Sequence, residues 1–89
     1  MNSQVSIIIP NYNCLQYLDT CINSIYQQKN VNFEIIIVDD GSTDGSKEYL
    51  EQLAAEKSEV RIFSQQRKGV VAARNLAITQ SKSEYLAFL

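Results

Sequence analysis

The chain has 89 residues, 45% hydrophobic and 20% charged, with a formal net charge of -2. That is one small domain or part of a larger one, with the composition of an ordered globular chain. A slightly acidic balance provides no broad basic field, so whole-surface attraction to nucleic acid or anionic lipid is not indicated and any phosphate must be held locally.

The predicted elements alternate strand and helix. Val5 to Ile9 is a near-continuous apolar run stopped by Pro10, the pattern of a strand buried on both faces. Leu15, Leu18, Ile22, Ile25 and Tyr26 then recur at three- and four-residue intervals, the stripe of a helix packed on a sheet. Phe33 to Val38 repeats the buried-strand pattern and is the segment richest in β-branched residues. The loop DDGSTDGS follows, with Ser42, Thr43 and Asp44 as candidate N-caps of a second helix from about Gly45 to Lys57 that buries Leu50, Leu53 and Ala54. Val60 to Phe63, interrupted by Arg61, suits an edge strand. Gln65 to Lys68 is a polar connection, Gly69 opens an alanine-rich helix to about Gln80, and Glu84 or Tyr85 to Leu89 is a fourth strand.

This alternation with short loops implies right-handed crossovers. The expected fold class is α/β: a Rossmann-like three-layer α/β/α arrangement with a mostly parallel sheet of about four strands. Ligands of such sheets bind beyond the C-terminal ends of the strands, where strand order reverses. The candidate loops are therefore Pro10 to Asn13, Asp39 to Asp44, Ser64 to Gly69, and whatever follows Leu89. Cys14 and Cys21 fall within one helical segment, about 10 Å apart at ~1.5 Å per residue, too far for a disulfide, so both read as reduced thiols. With those two cysteines and no histidine, a structural zinc site is nearly excluded. No apolar run approaches the roughly 20 residues that span a bilayer, and no basic-then-apolar leader precedes Val5. The expectation is a soluble, cytoplasmic chain.

Two loops carry polar residues that the fold does not demand. Asp39 and Asp40 repel each other unless a ligand, a metal or a helix N-terminus offsets the charge, and alternation lets only one point into the crevice. Two readings stand: both are turn formers that favour the second helix N-terminus, or one serves a ligand. At the end of the first strand, Pro10-Asn11-Tyr12-Asn13 stands where a nicotinamide-binding protein has a glycine-rich turn, which argues against NAD. Tyr12 with flanking amides suits stacking and edge recognition of a base; alternatively, Tyr12 packs on a neighbouring loop and Asn13 caps the first helix. In the third loop, Gly69 at a helix start and the cations Arg67, Lys68 and Arg74 could hold a diphosphate. Arg67 and Lys68 are the weaker candidates, as adjacent loop charges are usually solvated. Arg74 interrupts an apolar helix, although a salt bridge to Asp39 or Asp40 explains it equally well.

Taken together, VSIIIPNYN, FEIIIVDDGSTDGS, GVVAARN and EYLAFL, in this order, resemble the first half of an inverting family 2 glycosyltransferase of the GT-A fold. The resemblance covers nearly the whole chain. It implies a nucleotide-sugar site, most often for a UDP-sugar, with Pro10, Tyr12 and Asn13 in the base pocket, Asp40 accepting a hydrogen bond from uracil, Arg74 by the nucleotide, and Asp39 chiefly structural; Gly69, read above at a helix start, joins the nucleotide-binding set. It also implies that residues 1–89 are the N-terminal nucleotide-sugar-binding part of a truncated GT-A fold. Manganese or magnesium would bind an Asp-x-Asp motif beyond Leu89, and the catalytic base would lie later still. On that reading the chain holds no catalytic or metal residue and is inactive alone. The full-length protein would be cytoplasmic, either free or at the cytoplasmic face of the membrane. A phosphoacceptor receiver domain fits less well, because its acid pair should follow the first strand. A non-catalytic nucleotide-binding or interaction module derived from the same fold is the alternative. The fourth strand should pair beside the first, leaving Tyr85, Leu86, Phe88 and Leu89 on an open edge, a template for a homodimer.

Overall fold

Two apolar runs form the centre of a four-stranded sheet in the computed structural model, which describes residues 4–27 and 32–89. Residues 1–3, part of the stretch searched for a leader, lie outside the described residues. β1 (Val5–Asn11) pairs in parallel with β2 (Phe33–Asp39), with Ile7 opposite Ile35, Ile8 opposite Ile36 and Ile9 opposite Ile37. β3 (Val60–Ser64) lies outside β2, and β4 (Tyr85–Phe88) lies outside β1. The order is β3-β2-β1-β4, every pair is parallel, and the sequence direction reverses at β1. The arrangement is the expected α/β sheet, with β3 on an edge and β4 beside β1.

Strand alternation divides the core between two faces. On one face Ile9, Ile35 and Ile37 pack against Leu18, Ile22 and Ile25 of α1 (Leu15–Tyr26) and Leu50 of α2 (Ser46–Glu56). On the other, Ile8, Ile36 and Val38 meet Ala73 and Ala77 of α3 (Val70–Gln80). The small alanine side chains let α3 lie close to the sheet, so its first turn can form a wall beside the strand ends. α2 and α3 begin one residue after Gly45 and Gly69, which occupy the N-cap positions. Cys14 is likewise the N-cap residue of α1 rather than a helical one, and both cysteines are free thiols. Asp44 is the residue that caps across elements: its carboxylate accepts from the backbone N–H of Leu15 (3.0 Å) and of Ser46 (3.0 Å), tying the starts of α1 and α2 together.

At the opposite end of the sheet, Glu34 is a buried charge within the apolar run of β2. Its Oε2 accepts from Ser6 Oγ (2.5 Å), Lys82 N (3.0 Å) and Ser83 Oγ (3.2 Å), and its Oε1 from Arg61 Nη1 (3.1 Å). Arg61 also donates to the Gln80 carbonyl at the end of α3 (2.7 Å). Burial pushes the Glu34 carboxyl pKa up, but the donors from Ser6, Lys82, Arg61 and Ser83 outweigh it and hold the group below the usual carboxylate range. Glu34→Ala leaves Arg61 and three further donors without their acceptor; urea unfolding should show a loss of roughly 3 kcal/mol, the lower end for a broken buried pair because Arg61 stays partly exposed. An effect within experimental error would show that the network is incidental to stability.

Candidate functional site

The two carboxylates at the C-terminal end of β2, Asp39 as its last residue and Asp40 just beyond, turn to different partners, as alternation along the chain requires. Asp39 Oδ1 accepts from Asn11 Nδ2 (3.0 Å), and its Oδ2 accepts from Ser42 N (3.1 Å). It thereby joins the ends of β1 and β2 to the following loop. Asn13 belongs to the same joint. Its backbone, at φ 51, lies in the left-handed region that asparagine tolerates; its N–H donates to Ser42 Oγ (2.9 Å) and its Oδ1 accepts from Thr43 N (2.8 Å). Neither side chain lines the cavity described next, and Asn13 does not cap α1.

Asp40 faces the other way, into a cavity of about 310 Å³ lined by Pro10, Asn11, Tyr12, Cys14, Asp40, Arg67, Gly69, Val70 and Ala73. This volume is at the lower end of the roughly 300–1,000 Å³ usual for small-molecule sites. The cavity lies at the C-terminal ends of β1 and β2, with the first turn of α3 as its far wall. Although Asp40 is buried, four donors surround it: Gln65 Nε2 (2.9 Å) and Lys68 N (2.7 Å) on Oδ1, Gly69 N (2.9 Å) and Arg67 Nη1 on Oδ2. The Lys68 backbone N–H, opposed by burial and helped by Gln65, Gly69 and Arg67, lowers the Asp40 pKa to about 2. Near neutral pH the cavity therefore presents a fixed acceptor.

The loop from Gln65 to Gly69 is held against the one after β2. Gly41, at φ 80, makes this approach possible: a Cβ there would stand 3.2 Å from the Arg67 backbone nitrogen. The same approach brings the Arg67 guanidinium 3.7 Å from the centroid of the Tyr12 ring. Of the residues singled out from sequence, Pro10, Tyr12, Asp40 and Gly69 line one cavity, while Asn13, Asp39 and Arg74 lie outside its lining. Arg74 is exposed on α3 with its guanidinium 5.9 Å from the Phe88 ring centroid; the ion pairs among the described residues are Arg61 with Glu34 and Arg67 with Asp40. Arg67, ranked below Arg74 from sequence, is thus the cation that meets both the aromatic ring and the carboxylate. Sequence reasoning also passed over Cys14, Val70 and Ala73; the apolar residues at the start of α3 carried no signal distinguishing a cavity wall from a core face.

No group of three or more His, Cys, Asp or Glu side chains among the described residues could hold a metal ion. Asp39 and Asp40 turn to different partners and accept from different protein donors, so the pair does not by itself make a site for a divalent cation.

The family model for glycosyl transferase family 2 matches residues 6–89. The chain belongs to that family. Its relatives include the glycosyltransferase GlyG of Streptococcus pneumoniae, 39% identical over 90 residues that span 100% of this chain and 30% of GlyG. Chondroitin synthase of Pasteurella multocida is 39% identical over 85 residues, 96% of this chain and 9% of that protein. Among solved structures, S. aureus TarS 1-349 in complex with UDP-GlcNAc aligns at a TM-score of 0.86 with 28% identity, covering 97% of this family 2 chain and 26% of TarS 1-349. The fold is therefore that of the GT-A glycosyltransferases, and the chain spans less than a third of the length of these proteins.

The depressed pKa of Asp40 has a defined consequence for stability. Ionised Asp40 is favoured in the folded state, so its contribution is present above pH about 4, the ordinary carboxylate range, and is lost as pH falls through it towards about 2. Melting temperatures measured from pH 6 to 2 should fall less steeply for Asp40→Asn than for the parent, with Glu34 and Asp44, also held low, maintaining the remaining slope. Parallel acid limbs for the two proteins would contradict the assignment.

Proposed function

We propose that residues 1–89 form the N-terminal nucleotide-sugar-binding part of a glycosyltransferase that moves a sugar from a nucleotide-sugar, a UDP-sugar, to an acceptor hydroxyl with inversion at the anomeric carbon. The observation that carries the reading is the convergence of an aromatic face, Tyr12, and an ionised carboxylate, Asp40, in one cavity at the strand ends. A base can stack on the ring. A carboxylate that only accepts hydrogen bonds favours a base presenting an N–H, as the imide edge of uracil does, over one presenting a bare ring nitrogen. Membership of family 2 and the UDP-GlcNAc bound to TarS support the same donor class.

In this proposal Pro10 and Tyr12 shape the base pocket, Asp40 reads the base edge, and the Gly69 end of α3 lies towards the phosphates. Asp39 and Asn13 hold the β1 and β2 ends in place, and Arg74 on α3 reaches the nucleotide only once ligand is present. The divalent cation of the full-length protein, manganese or magnesium, is held by residues other than those described, as is the group that deprotonates the acceptor. The proposed setting is the cytoplasm or the cytoplasmic face of the membrane; no helix among the described residues is long and apolar enough to cross a bilayer.

Calorimetry tests the donor site. The 89-residue chain should bind UDP weakly, with little gain on adding manganese; a large manganese-dependent increase in affinity would place a metal site within the chain. Asp40→Asn should weaken UDP binding roughly tenfold to a hundredfold, the scale of a hydrogen bond to a charged group, whereas Asp39→Asn should mainly lower the melting temperature. Equal losses of affinity in both variants, with unchanged stability, would reverse these roles.

The outer edge of β4 has a separate role in this proposal. Tyr85, Leu86, Phe88 and Leu89 are exposed there, and β4 pairs on one side alone among the described strands. The isolated chain should self-associate across that edge. Light scattering that shows a strict monomer at high concentration would refute this.

A further inference from the structure

The Arg67 side chain occupies both features that would recognise a base. Its guanidinium, a planar cation with N–H donors in the plane, lies over the Tyr12 ring at 3.7 Å and donates to Asp40 Oδ2. A base with an N–H edge, stacked on Tyr12 and bonded to Asp40, would use the same ring face and the same acceptor. From this overlap, and resting on the nucleotide reading above, we infer that Arg67 is an internal competitor that closes the base subsite when no ligand is bound and must swing out for a base to enter.

The hydrogen-bond inventory identifies Arg67 as the group that moves. A carboxylate has about four lone-pair positions, and Asp40 already accepts from Gln65, Lys68, Gly69 and Arg67. A ligand N–H can join only if one donor leaves. The Lys68 and Gly69 donors are backbone groups fixed by the start of α3, and Gln65 does not cover the ring. Arg67 is the donor on a long, exposed side chain: 55% of its side-chain surface is accessible, against 3% for Asp40. Withdrawing it exposes the Tyr12 face and frees one acceptor position in a single motion. Asp40 meanwhile keeps its two backbone donors, so it stays ionised and oriented for the incoming N–H.

The magnitudes allow this to operate as a gate. A partly exposed ion pair and a cation over an exposed ring are each modest interactions, and together they bias the closed arrangement by about tenfold. Ligand affinity falls in proportion to the open fraction. The device would weaken binding of a bare nucleoside most, because a nucleotide returns attraction to the displaced cation through its phosphates.

Uridine is the discriminating probe, since it carries the base without charge. In the full chain, uridine affinity measured by NMR titration should increase about tenfold for Arg67→Ala, while UDP affinity should increase less. For the unmodified protein, uridine affinity should also rise with ionic strength between low and high salt, because screening weakens the Arg67–Asp40 pair that has to break; that dependence should vanish in Arg67→Ala. The salt series on the unmodified protein holds even if the variant proves unstable. Uridine affinity that is unchanged or lower in Arg67→Ala would overturn the inference and make Arg67 part of the pocket instead. So would salt-independent uridine binding by the unmodified protein. If neither uridine nor UDP binds any form, the nucleotide reading itself falls, an outcome distinct from these two.

Discussion

A parallel strand covered on both faces has to bring its charged residues into the interior with it; β2 carries two, Glu34 and Asp39, and Asp40 follows directly. Glu34 to Asp40 is buried without a break, with carboxylates at both ends of the run. Such groups are tolerable inside a protein only when donors replace the water they have lost. The surrounding architecture supplies them. Ser6 of β1, Arg61 of β3 and the segment after α3 converge on Glu34, while Asn11, Ser42 and the Gln65–Gly69 loop converge on the acid pair. No buried side-chain nitrogen or oxygen among the described residues lacks a partner. The apolar core provides the bulk of the driving force, and the carboxylates at the ends of β2 specify how the neighbouring elements fit against it.

The cavity end of the sheet follows from that requirement. To neutralise Asp40, the loop after β3 turns its Lys68 and Gly69 N–H groups inward, which sets where α3 begins and therefore where Val70 and Ala73 stand as a cavity wall. The same turn delivers Arg67 to Tyr12. Structural satisfaction of a buried charge and construction of the cavity are thus one event. The acceptor that a base would read is held ionised by backbone donors that persist whether or not the side chains around it move.

The two ends of the sheet differ in how much freedom remains. At Glu34 the donors are mutually linked: Ser6 Oγ lies 2.6 Å from Ser81 Oγ, which in turn accepts from Ser83 N (3.2 Å). Each contact there supports another. At Asp40, one of the four donors sits on an exposed side chain with a second attachment only to an exposed ring. The carboxylate that lines the cavity is thus the less tightly held of the two, a contrast found within seven consecutive residues.

Much of the fold was legible in the amino-acid sequence because it rests on short-range regularities. Apolar runs marked β1 and β2, the stripe from Leu15 to Tyr26 marked α1, and strict alternation of strand and helix implied parallel pairing, hence loops gathered at one end of the sheet. The same reasoning singled out Tyr12 and Asp40 at the strand ends as candidates for a site. Tertiary structure decided the partners. Glu34 read as part of a buried strand, since the groups that satisfy it come from Ser6, Arg61 and the chain after Gln80, far apart in sequence. Arg67 and Arg74 flank the same helix start, and the local pattern, a cation interrupting an apolar helix, favours Arg74; Arg67 meets Asp40 because Gly41 lets two loops touch, while Arg74 is carried by the turn of α3 towards Phe88. Periodicity is a property of neighbours along the chain and can be read there, whereas the pairing of charges depends on strand register and loop path, which exist only once the sheet has assembled.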